Sequence, residues 1–157
     1  MLGDDGVGHV VLERLRIQAQ WSRRVAFHRI EGDLFELDDW VGRIGHLIVL
    51  DALVGQPIGQ IDLITGGCRL HAPSFHHTDV ATLLAHLEAI HGPDSFPRWE
   101  VWGVRIAMPT EFTERLSEPV ARAAGHLQGV VTARIRGFER GDAPDGGHRE
   151  PTNRRQG

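Results

Sequence analysis

Three places in this chain combine residue types that do chemistry with a setting that would hold them still. The first is the run Gly3, Asp4, Asp5, Gly6, Val7, Gly8, directly ahead of a periodic apolar stretch. An aspartate at the start of a helix ordinarily caps it, and one carboxylate suffices for that, so the second is left over. The run is not a dinucleotide loop: its glycine spacing is wrong, and two carboxylates would repel a pyrophosphate. The second place is Asp51, which follows the apolar run Leu47, Ile48, Val49, Leu50. As a turn residue it would simply be solvated, but strand carboxyl ends are where sites assemble in open α/β sheets. The third is His76, in a polar loop with His71 and His77; a loop histidine alone is ordinarily solvated. Taken together, Asp5, Asp51 and His76 offer two carboxylates and an imidazole. That donor set suits a borderline divalent ion such as nickel or zinc and leaves coordination positions open for a substrate. Because protons compete for the same ligands, metal affinity is expected to fall on acidification.

Bulk properties exclude other chemistries. The net charge of −4 supplies no surplus of cations for a phosphate backbone or an anionic lipid surface, so neither nucleic acid nor membrane is an expected partner. All 17 basic residues are arginine, which removes lysine Schiff bases and the phosphate-loop lysine. A single cysteine, Cys68, permits no internal disulfide and no cysteine-built zinc site, which fits a reducing compartment. Ser74 lacks a glycine-flanked elbow, and Cys68 lacks an electropositive setting, so serine or cysteine proteolysis is not expected. The amino terminus resembles no signal peptide and no apolar run is long enough to span a bilayer, so a soluble, cytoplasmic protein is expected.

The elements that must position these residues follow from apolar periodicity. Helices are expected over 7–20, 33–42, 78–91 and 115–136, and strands over 24–30, 46–50, 58–65 and 99–106. The run 46–50 reads as a strand buried on both faces and ending at Asp51. The connection holding Gly55, Pro57 and Gly59 is too short for a crossover helix, so strands 46–50 and 58–65 are expected to pair antiparallel. The resulting fold class is α/β, a three-layer sandwich with a mostly parallel twisted sheet, one antiparallel strand and helices on both faces. One domain is expected over 1–138, followed by a disordered polar tail over 139–157. Folds of this kind normally have a strand feeding the first glycine-rich turn, so the encoded protein is expected to begin upstream of Met1.

The run Met1 to Gly8, the strand ending Ile48, Val49, Leu50, Asp51, Ala52, and Ser74, Phe75, His76 before a leucine-rich helix resemble the hydrogenase maturation endopeptidases. Val101 to Val104 and Leu116 to Val120 resemble that family's last strand and helix, so the similarity covers most of residues 1–131. The resemblance implies a protease that recognises nickel already inserted in a hydrogenase large-subunit precursor and removes a short carboxyl-terminal peptide. It aligns Asp5, Asp51 and His76 with the family's metal ligands, His76 rather than His77 because Ser74 and the following leucines then fall in register. It gives Asp5 and Asp51 the catalytic role as well. The nickel would come with the precursor, and the protease would act as a monomer. The family's opening apolar strand and Gly-Asn pair are absent, and Glu31 to Leu34 lacks its usual double glycine. Alternatives are a non-catalytic metal-binding or chaperone module of the same fold, and a small-molecule metallohydrolase with its own zinc.

Overall fold

A computed structural model of the chain describes residues 3–18, 20–30, 34–66, 80–110, 113 and 115–141. Strand β3 (Arg98–Ile106) lies at the centre of a three-stranded sheet, because it is the strand with apolar side chains to bury on both faces. Trp99 and Val101 face one way, Val104 and Ile106 the other, and all four are almost wholly buried. Strand β1 (His46–Val54) pairs with it in parallel, with Leu50 opposite Trp102 and Asp51 opposite Gly103. Strand β2 (Ile61–Thr65) pairs with the other side of β3, antiparallel, with Leu63 opposite Trp102.

The sheet order β1-β3-β2 corrects one expectation. The two strands joined by the short connection do run in opposite directions, but they do not pair, because β3 is inserted between them. Helix α2 (Val80–His91) supplies the crossover that carries the chain back. The short β2, with exposed Leu63 and the charged Asp62, suits an edge.

Two apolar clusters fill the layers on either face. Helix α1 (Val7–Gln18) and helix α3 (Glu118–Arg140) bury Val7, Val11, Leu15, Val120, Leu127 and Val131 against Val104 and Ile106. On the opposite face, α2 buries Ala81, Leu84 and Leu87 with Leu37, Phe96, Trp99 and Val101. Strand β1 alternates between them: Ile48, Leu50 and Ala52 pack on the first cluster, Leu47 and Val49 on the second. The expected three-layer α/β sandwich is therefore observed, with two strands parallel and one antiparallel.

Other boundaries differ for identifiable reasons. Residues 25–30 form no strand, although Val25 and Phe27 pack on the first cluster and Ile30 on the second, as a strand straddling the sheet would. Among the described residues no strand lies beside them, so β1 is the sheet edge and its central residues are half-buried rather than enclosed. The expected helix over 33–42 is a short 3₁₀ segment, Leu34–Trp40. Helix α3 runs past the domain boundary expected at 138, to Arg140, where Gly141 closes it in the left-handed conformation at φ 81°. Residues 142–157, the bulk of the expected tail, lie outside the described residues.

Candidate functional site

The acidic turn Gly3–Gly6 is a 3₁₀ helix that leads straight into α1. Its two aspartates have separate fates. Asp4 accepts hydrogen bonds from the Ser117 backbone N–H (2.6 Å) and from the Ser117 hydroxyl (2.8 Å), so both its oxygens are turned towards the start of α3. Asp5 is exposed and, among the described residues, has no hydrogen-bond or ion-pair partner. The capping of α1 anticipated for one of the pair is not what Asp4 does: its bonds go to Ser117, the residue that precedes α3, far along the chain.

Two close approaches hold this turn. The Gly3 N–H donates to the Thr113 carbonyl at 2.6 Å, and a Cβ at Gly3 would overlap the Thr113 hydroxyl. Five residues on, Gly8 lies flat against β1: a Cβ there would sit 2.8 Å from the Leu50 carbonyl carbon and 3.2 Å from the Asp51 nitrogen. The amino end of α1 is thereby set at the height of Asp51, with the turn that carries Asp5 immediately before it. The positive end of the helix dipole faces this part of β1, a favourable setting for carboxylates.

Asp51 is half-buried, and its Oδ1 accepts the Ala52 backbone N–H at 2.8 Å. Contrary to the expectation that the strand ends there, β1 continues to Val54, because β3 stays alongside it as far as Ile106. Asp51 consequently lies about 10 Å inside the carboxyl end of the strand, at ~3.3 Å per residue. Alternation puts its side chain on the face of Leu47 and Val49, the α2 side, whereas Gly8 approaches from the α1 side.

His76, with Cys68, His71, Ser74 and His77, lies outside the described residues, in the segment that leads into α2. Among the described residues no three His, Cys, Asp or Glu side chains group as metal ligands. The structure thus brings the turn of Asp5 up to the backbone of Asp51.

Sequence reasoning passed over Thr113, and gave Gly8 and Ser117 no task of their own. Gly8 carried a signal, a glycine in the first turn of a helix, and so did Ser117, which precedes Glu118 and Pro119 as N-caps often do. His9 was also passed over: its Nε2 is 3.2 Å from an Arg29 nitrogen, and among the described residues its buried Nδ1 has no hydrogen-bond partner. A groove beside β2, lined by Ile58, Ile61, Trp102, Pro119, His126 and Val130, contains none of the expected site residues.

No protein-family model matches the sequence, and no curated protein does. Solved structures do match. The hydrogenase maturating endopeptidase HybD from E. coli superimposes with a TM-score of 0.62 at 21% identity, over 87% of this chain and 86% of that one. The [NiFe] hydrogenase maturation protease HycI from Thermococcus kodakarensis KOD1 gives 0.64 at 19%, over 86% and 85%. An endopeptidase from Escherichia coli, solved in solution, gives 0.67 at 20%, over 91% and 93%. The chain has their fold. Identities this low carry the architecture, and the chemistry must be argued from the residues. Among the described residues, no helix is long and apolar enough to cross a membrane.

Proposed function

We propose that this chain is a cytoplasmic endopeptidase that removes the carboxyl-terminal peptide of a nickel-loaded hydrogenase large-subunit precursor. The observation that carries the reading is the seating of Gly8 on Leu50 and Asp51, which brings the helix that follows Asp5 up to the strand that carries Asp51, within a fold shared with maturation proteases. Asp5, Asp51 and His76 are the groups that would engage the nickel, which arrives as part of the substrate. Bound there, the metal supplies Lewis acidity next to the scissile bond. Asp5, exposed and close to solvent, is the carboxylate suited to exchanging a proton with water, while half-buried Asp51 fixes orientation.

The test is to incubate the protein with nickel-loaded and nickel-free precursor and to follow precursor mass. A mass loss that requires nickel is expected, and it should disappear in Asp5→Asn and in Asp51→Asn. Binding of the nickel-loaded precursor without any mass change would instead identify a non-catalytic module.

A further inference from the structure

We propose that Asp4 is a positioning residue: by bonding both atoms that Ser117 offers, it locks the acidic turn onto the start of α3 and so sets where Asp5 stands. The inference rests on the reading of Asp5 as a metal-engaging carboxylate. It goes beyond that reading by assigning the other half of the pair, and Ser117 with it, a task.

The geometry points to a two-ended clamp. At one end, Gly3 and Asp4 are bonded to Thr113 and Ser117, both in the segment between β3 and α3. At the other, Gly8 is pressed on the β1 backbone. Asp5 lies between the two, with only two residues separating it from the second. Ser117 holds the N-cap position of α3 but makes no side-chain capping bond to its own helix; its hydroxyl is given to Asp4. The Asp4 carboxylate thus holds the N-cap residue itself, and the positive end of α3 favours its charge. Both Asp4 oxygens are directed at Ser117, at the start of α3. Its effect on the site therefore passes through Asp5.

The experiment compares Asp4→Ala, Asp4→Asn and Ser117→Ala with the wild-type protein by hydrogen exchange of residues 3–6 and by nickel-dependent precursor cleavage. Asp4→Ala should speed exchange over 3–6 while the core of α1 stays protected, and should lower kcat at least tenfold, the loss typical when a ligand's supporting contact is removed. Asp4→Asn, whose amide oxygen can still accept the Ser117 N–H, should recover most of both, and Ser117→Ala should fall between. Unchanged exchange in Asp4→Ala overturns the clamp. Faster exchange with undiminished cleavage overturns the positioning role and leaves Asp4 merely structural, as does Asp4→Asn performing no better than Asp4→Ala. If the wild-type protein itself does not cleave, the endopeptidase reading fails. The exchange pattern then decides the clamp by itself.

Discussion

At the residue scale, the division of labour between Asp4 and Asp5 depends on glycines on both sides of them. Gly8 leaves no space for a side chain, and the atoms a Cβ would meet belong to the Leu50 and Asp51 backbone, which cannot step aside as a flexible side chain would. Gly8→Ala should therefore push α1 off β1. Overpacking of this kind costs about 1–3 kcal/mol, and it should appear as a lowered midpoint in urea denaturation without a change in slope. The displaced helix would take Asp5 with it, so cleavage should fall more than stability does.

At the element scale, the β2–β3 pair is pinned by a two-point ion pair. The Arg105 Nε donates to Asp62 Oδ2 at 2.6 Å and its Nη2 to Oδ1 at 3.1 Å, while Nη1 reaches the Gln56 carbonyl. These bonds, helped by Gln60 and opposed by partial burial, hold the Asp62 carboxyl below its ordinary value of 3.8. The folded state thus binds this proton less readily than the unfolded chain does. Its contribution to stability is complete above 3.8 and is lost as pH falls through the lower, folded value. Urea midpoints of wild type and Asp62→Asn should differ most near neutral pH and converge below 3.8. A constant difference across that range would mean the pair is not coupled to folding.

At the scale of the whole molecule, α3 ties the two ends of the sheet together. It begins at the Ser117 contact with the acidic turn, and its 23 residues extend to the amino end of the strands. There Arg134 donates to the nearly buried Glu100 (2.9 Å from Nε to Oε1) and lies 4.9 Å over the Phe138 ring. His46, first residue of β1, stacks on the same ring at 4.3 Å. Desolvation in this stack lowers the His46 pKa below 6.5, seconded by Arg98 and Arg134 and offset in part by Glu100. The neutral ring is the one the folded state prefers. Stability from this residue is accordingly present above 6.5 and declines as pH drops through the folded value. His46→Gln should flatten the stability profile just below 6.5, measured again by urea midpoints, and should leave nickel-dependent cleavage in place because the site is at the other end of the sheet.

The sequence by itself determined the layers. Apolar spacing marks α1, α2, α3, β1 and β3 because each must turn one stripe or two faces towards a core, and that demand is local to the segment. It also singled out the acidic turn and Asp51, since two adjacent carboxylates exceed what capping needs. What only the tertiary structure decided is how segments meet: that β3 enters between β1 and β2, that residues 25–30 find no neighbouring strand, and that β1 runs on past Asp51. The same holds for Asp4 and Asp5, which are interchangeable in sequence and were separated by a hydrogen bond to Ser117, 113 residues away. Hydrogen-bond partners across a sheet or between loops are chosen by competition among distant groups, and periodicity carries no trace of who wins.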